Sequence, residues 1–261
     1  MTDDPPDADS HYRDAAYYDH AYRRYKSDVG FYVELATGSG GPVLELGVGT
    51  GRVATAIARE GIEVVGVDKM TTMLERARRR LEKAPKKVRE RVNLVEGDLR
   101  DVRLERRFPF VAAPFNVFQH LYGRHDVERA LATVAAHMTP NGRLAFDVLM
   151  PDPVSLARDP NRYYKSRPVT HPADGKRYGY DEAFDYDHER QIQTTTMRFS
   201  DLEDGRERFR ETLPQRQFFP RELEALLHYN GFEMLRLDGG FGAEPIDAYT
   251  ESLVVIARLR R

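Results

Sequence analysis

The chain has 261 residues, no cysteine and a formal net charge of −2. These figures exclude a disulfide framework, a thiolate zinc site and a general electrostatic pull toward nucleic acid or anionic lipid. The length suits one large domain, or one domain with an insertion. No apolar run is long enough to span a membrane, and the lack of cysteine fits a cytoplasmic setting.

The first residues, MTDDPPDADS, are acidic and proline-rich, without the charged and apolar regions of a signal peptide, so 1–10 read as a disordered tail. Residues 12–36 read as one or two helices rich in aromatics, within an N-terminal helical lid over 11–40. Gly38 to Gly41 break the chain. Strands are then predicted near 43–47, 63–68, 92–95, 108–114 and 143–149, alternating with helices near 51–60, 71–84 and 123–138. That alternation predicts a parallel sheet with helices on both faces. Pro140-Asn141-Gly142 reads as a turn into the fifth strand. After Pro151 the pattern changes. Residues 177–186, 190–200 and 206–213 predict three antiparallel strands, so 151–214 reads as a β insertion between the two parts of the core, 41–150 and 215–261. A helix over 219–231 and a final antiparallel pair, GFEMLRLDG and ESLVVIARL, complete the chain.

Residues 43–51 read VLELGVGTG, and VVGVD follows, ending at Asp68. Val43, Leu44 and Leu46 suit a strand buried on both faces. Gly47, Gly49 and Gly51 permit a sharp turn with no Cβ against a ligand. Asp68 stands where a carboxylate accepts both hydroxyls of a ribose. The spacing alone leaves a dinucleotide and S-adenosylmethionine both open. Two details choose between them. Arg52 occupies the position where the dinucleotide fingerprint has its third small residue. Glu45, just before the turn, would repel a pyrophosphate but suits an ammonium.

With VLELGVGTGR, VVGVDKM and EGDLRDV as first, second and third motifs, the chain resembles the class I S-adenosylmethionine-dependent methyltransferases over about residues 40–150. The resemblance implies a Rossmann-like α/β fold: a seven-stranded sheet with helices on both faces and the small antiparallel insertion after strand five. It implies S-adenosylmethionine as cofactor, with Glu45, Gly47 and Gly49 at its methionine part. Asp68 would hold the ribose, Met70 would pack on adenine, and Asp98 with Leu99 would meet the adenine edge. APFNVFQHL (113–121) resembles a segment of bacterial small-molecule N-methyltransferases, including deoxyaminosugar enzymes, although Asn116, Val117 and Phe118 replace small polar residues there. Phe115 is expected beside the cofactor's methyl end, Asn116 at the acceptor, and His120 as general base or acceptor contact. Tyr18, in a Tyr-Asp pair, is expected to touch the cofactor.

Other readings stay in view. Tyr12, Tyr22, Tyr25 and Tyr32 read as the apolar stripe of a helix. Arg52 either senses the methionine carboxylate or starts a surface helix. Arg76, Arg78, Arg79, Arg80, Lys83, Lys86 and Lys87 read as a solvated face, so nucleic acid is disfavoured. Asp147 and Asp152 lack metal-site partners, and no metal is assigned. The insertion is expected to cover the acceptor or form a homodimer contact. The leading function is methyl transfer to nitrogen or oxygen of a small molecule, against an RNA or protein methyltransferase, a nicotinamide oxidoreductase and a non-catalytic cofactor-binding relative.

Overall fold

A computed structural model describes residues 4–260. Three helices come first: α1 (Ser10–Arg13), α2 (Ala15–Ala21) and α3 (Val29–Ser39), the last ended by Gly40 in a left-handed conformation. The alternating part follows: β1 (Val43–Leu46), α4 (Arg52–Arg59), β2 (Val64–Asp68), α5 (Thr71–Glu82), α6 (Lys86–Arg89), β3 (Val92–Glu96), β4 (Phe108–Ala113), a 3₁₀ turn (Val117–His120), α7 (Arg124–His137) and β5 (Met138–Leu149). Then come α8 (Pro153–Leu156), β6 (Tyr164–Lys165), β7 (Val169–Thr170), β8 (Arg177–Asp187), β9 (Ile192–Asp201), β10 (Glu207–Arg216), α9 (Pro220–Tyr229), β11 (Phe232–Asp238) and β12 (Ser252–Leu259).

Seven strands form one sheet in the order β11-β12-β5-β4-β1-β2-β3. The strands from β3 to β5 pair in parallel; β12 is antiparallel to both β5 and β11. β1 lies between β2 and β4, so successive crossovers leave it on opposite sides. A crevice opens at the carboxyl ends of strands where the winding reverses. The period of two in β1 divides its side chains between two cores. Leu44 and Leu46 pack with Val127, Leu131 and Val134 of α7 and Leu223 and Leu227 of α9. Val43 belongs with Tyr32 and Ala36 of α3 and Val53 and Ile57 of α4. Glu45 shares the face of Val43, a carboxylate on the α3/α4 side of an otherwise apolar strand.

β8, β9 and β10 form an antiparallel meander extended by β6 and β7. The predicted turn Pro140-Asn141-Gly142 proves to be an irregularity within β5: Phe108 pairs with Met138, but Phe110 pairs with Arg143, so β5 bulges there. The tail expectation also needs correction. Residues 1–3 lie outside the described residues, but 4–10 are placed against the core. Asp4 pairs with Arg100, Asp9 with Lys69, and Ala8 is buried beside Tyr122 and Ile192. The acidic composition that reads as disorder supplies partners for two cations at the rim of the sheet. Among the described residues no helix is long and apolar enough to cross a membrane.

Candidate active site

A cavity of about 120 Å³ opens at the carboxyl ends of β1, β2 and β4. Its floor is the glycine turn. Gly47, Gly49 and Gly51 all have positive φ, at 68°, 53° and 75°. At Gly47 a Cβ would fall 2.4 Å from a methyl of Val117, so this residue permits both the turn and the approach of the 3₁₀ segment. Gly47→Ala is expected to lower stability by about 1–3 kcal/mol, read from the denaturant midpoint, through combined clash and backbone strain.

Asp68 ends β2 and organises the turn. Its Oδ2 accepts from Gly49 N at 2.7 Å and its Oδ1 from Met70 N at 2.9 Å. Burial pushes this carboxyl up, against the lowering effect of those two bonds. Each oxygen keeps a lone pair for a ligand hydroxyl. Met70 and Leu99 line an apolar slot beside it. Asp98 also lines the cavity, held by Arg100 at 2.6 Å. Burial alone would raise the Asp98 carboxyl, but the Arg100 bonds outweigh it and hold it below the usual carboxylate range. Arg100 carries no signal in the sequence. It also reaches Asp4 and Asp126, joining the first residues, the third motif and α7.

Glu45 is 2 % exposed and lines the same cavity. Its Oε2 is buried with no hydrogen-bond partner among the described residues. Burial drives its carboxyl up to about 8, with the Arg52 charge opposing the rise. Arg52 is not a surface residue: its guanidinium forms a two-pronged pair with the fully buried Asp28, at 2.6 Å on each arm, and lies over the rings of Tyr25 and Phe115. Asp28 thereby satisfies the Arg52 cation, which leaves the Glu45 oxygen open for another.

The loop after β4 is shaped by Asp147, at the far end of β5. Phe115 and Asn116 both have positive φ, at 64° and 63°, which costs energy in a bulky aromatic. Asp147 Oδ1 accepts from Phe115 N at 2.8 Å and from the Tyr32 hydroxyl at 2.6 Å, and its Oδ2 accepts from Asn116 N at 3.1 Å. The buried carboxylate fixes the strained turn and sets Phe115 in the cavity wall. Asn116 does not line the cavity. The turn puts its amide N–H on Asp147, and its side-chain Oδ1 is buried without a partner. Asp152, the other acidic residue near this strand end, caps α8 through Val154 N and Ser155 N. Among the described residues no group of three or more His, Cys, Asp or Glu side chains is arranged to hold a metal.

The N-terminal helices roof the cavity. Asp19 of α2 bonds Thr50 of the glycine turn and both Arg76 and Arg80 of α5. Part of the basic run therefore ties the roof to the core. Tyr18 lines the cavity, and so does Tyr12, which the helix stripe had placed in the core. Tyr22 and Tyr25 ring Phe115 at centroid distances of 5.0 and 4.9 Å. Of the four tyrosines read as a stripe, only Tyr32 is a core residue. His120 lines the cavity with both nitrogens engaged: Nε2 meets the Tyr12 hydroxyl at 2.7 Å and Nδ1 meets the Tyr122 hydroxyl at 3.1 Å. Burial, then the Lys69 charge, lower His120 to about 4, so it is neutral at pH 7.

The strand order, the glycine turn and the carboxylates after β1 and β2 are similar to those of class I S-adenosylmethionine-dependent methyltransferase domains, and the sheet has their Rossmann-like order. The residues fit that cofactor: an unpaired buried carboxylate oxygen suits its ammonium, Asp68 suits its ribose, and the Met70–Leu99 slot suits its adenine. Residues 43–142 match the family model described as a methyltransferase domain. The chain is 30% identical over 121 residues to a dTDP-3-amino-3,4,6-trideoxy-alpha-D-glucopyranose N,N-dimethyltransferase of Streptomyces venezuelae, which covers 46% of this chain and 48% of that protein. The chain thus spans about half the length of the curated relatives it first matches. The structure of the CcbJ methyltransferase from Streptomyces caelestis superposes with a TM-score of 0.81 at 24% identity, over 97% of this chain and 99% of that one. The glycopeptide N-methyltransferase MtfA in complex with S-adenosylhomocysteine matches at a TM-score of 0.62 and 25% identity, over 88% of this chain and 86% of that one.

Proposed function

We propose that the chain transfers a methyl group from S-adenosylmethionine to the nitrogen of a small-molecule amine. The observation that carries this reading is the buried, unpartnered Glu45 oxygen on the wall of a cleft that also holds the Asp68 carboxylate. S-adenosylmethionine supplies a methyl group already activated on a positive sulfur. The chain's own contribution is then alignment, exclusion of water and handling of the amine proton. Glu45, Asp68, Met70 and Leu99 hold the donor, with Asp98 at the adenine edge. Phe115, fixed by Asp147, stands between donor and acceptor. The rings of Tyr12 and Tyr18 line the cavity, with Tyr22 and Tyr25 packed on Phe115, and this aromatic wall favours an amine over a neutral hydroxyl. The amine preference is also supported by the first relative's name, which specifies N,N-dimethyl transfer to an aminosugar nucleotide. A small acceptor accords with this roof, since Asp9, Tyr12 and Tyr18 of the N-terminal segment line the cavity.

The test pairs S-adenosylmethionine with dTDP-linked 3-amino-deoxysugars, simple primary and secondary amines, and their hydroxyl counterparts, with products read by mass spectrometry. Addition of one or two methyl groups to amines but not to alcohols is expected. Methylation confined to hydroxyls, or no donor consumption with any amine, would overturn the reading.

A further inference from the structure

Asp98 lines the cavity, and its carboxylate is held differently from those of Glu45 and Asp68 in the same wall. Glu45 keeps a bare buried oxygen, and Asp68 accepts from two backbone amides. Asp98 is clasped by a cation. Arg100 Nε lies 3.0 Å from each of its oxygens, and Arg100 Nη2 lies 2.6 Å from Oδ2. The backbone amide of Arg100 donates to Oδ1 at 2.8 Å. Burial raises the carboxyls of Glu45 and Asp68; at Asp98 the Arg100 bonds overcome burial and hold the group below the usual carboxylate range.

The guanidinium is itself buried and fixed. Its Nη1 donates to Asp126 Oδ1 at 3.1 Å, and Asp126 Oδ2 accepts from Gly123 N at the start of α7. The Arg100 carbonyl accepts from the Thr133 hydroxyl, also of α7, at 3.0 Å. Nη1 donates as well to Asp4 Oδ1 at 3.0 Å. Arginine has no acceptor and keeps its proton in a protein. A carboxylate clasped on it stays ionised, and its remaining lone pairs only accept.

The donor reading puts adenine in the slot of Met70 and Leu99, with its edge on Asp98. Adenine carries a donor amino group there. Hypoxanthine, almost the same in size, carries a carbonyl oxygen instead. An acceptor-only wall bonds the first and repels the second. A carboxyl free of Arg100 takes up a proton more readily and turns to donate to the carbonyl; the clasp denies it both.

We propose that Arg100 is a positioning residue that sets the purine specificity of the donor site: it holds Asp98 as an acceptor-only group, which admits an aminopurine and rejects an oxopurine. The assignment rests on the S-adenosylmethionine reading above. Arg100 does not line the cavity and works through Asp98, with Asp126 and Thr133 keeping it in place.

Calorimetric affinities of the full chain for S-adenosylhomocysteine and for S-inosylhomocysteine, its oxo counterpart, test the assignment. Wild type is expected to prefer the amino ligand by about 100-fold. Arg100→Met is expected to cut this ratio to about 5-fold, and Asp98→Asn, which can turn an amide NH₂ to the carbonyl, to cut it at least as far. Arg100→Lys, a point charge that cannot clasp both oxygens, should fall between, at about 20-fold. Asp4→Asn, which removes an Arg100 partner away from Asp98, should keep the wild-type ratio. A merely structural Arg100 would weaken both ligands alike. An unchanged ratio in Arg100→Met, or an equal fall in Asp4→Asn, would therefore overturn the assignment. If circular dichroism shows Arg100→Met unfolded, the lysine variant decides, and a wild-type ratio in it would overturn the assignment. Equal binding of the two ligands to wild type would overturn it and leave the donor site standing. Binding of neither would overturn the donor reading itself, and the assignment with it.

Discussion

Asp147→Asn is expected to lower stability by about 2–4 kcal/mol and methyl transfer by roughly 100-fold. The native carboxylate accepts three hydrogen bonds, from the Tyr32 hydroxyl and from the amides of Phe115 and Asn116. An asparagine carries one acceptor oxygen and turns a donor NH₂ toward a partner that is itself a donor, inside a site where water cannot replace the lost bond. Two consecutive residues with positive φ then lose the group that holds them there, and Phe115 loses its fixed place in the wall. A melting temperature lower by roughly 5–10 °C would express the change in stability. Tyr32→Phe removes one of the three bonds without touching the turn and should cost about 1 kcal/mol. Near-equal losses in the two variants would contradict the role given to the Phe115–Asn116 turn.

Glu45→Gln is expected to weaken donor binding by about 2–4 kcal/mol, or roughly 30- to 1000-fold. In the free chain burial holds the Glu45 carboxyl up at about 8, so it is mostly protonated at pH 7. A donor ammonium needs the ionised form. Binding to the wild type at pH 7 should therefore release close to one proton, a release that fades above about pH 8. Calorimetry in buffers of different ionisation heat measures it directly, and Glu45→Gln should release none. The sign for stability follows from the same shift. The folded value of about 8 lies above the unfolded value of 4.5, so this group's contribution is complete below 4.5 and is lost as pH rises through 8. Without donor, the glutamine variant should gain stability relative to wild type toward alkaline pH. A variant that binds as tightly as wild type, or a wild type that binds without proton release, would contradict the placement of the ammonium on Glu45.

What the sequence made legible is local. The apolar run before Gly47, the carboxylate at Asp68 and the helix and strand periods each depend on neighbours within a few positions, and the strands lie within a few residues of their predicted places. Asp147, Arg100, His11 and Glu211 act across distance: Asp147 meets Tyr32 over 115 residues and His11 meets Glu211 over 200. No periodicity records such pairs. Asp147 reads as one more acidic residue at a strand end until the sheet order puts it beside the β4 loop. The tyrosines were misjudged for a related reason. Helical spacing states that residues share a face, but not whether that face meets a core or the mouth of a cleft. The acidic opening residues read as a tail because their partners, Arg100 and Lys69, lie about sixty or more positions away.

A crystal structure of the chain grown with S-adenosylhomocysteine tests the central claim most directly. The ligand is expected along the Gly47–Gly51 turn, with its amino group on Glu45, its ribose hydroxyls on Asp68, and its sulfur toward Phe115 and the tyrosine ring. Density for the ligand elsewhere, or none at saturating concentration with the Glu45 oxygen still unpaired, would contradict the account.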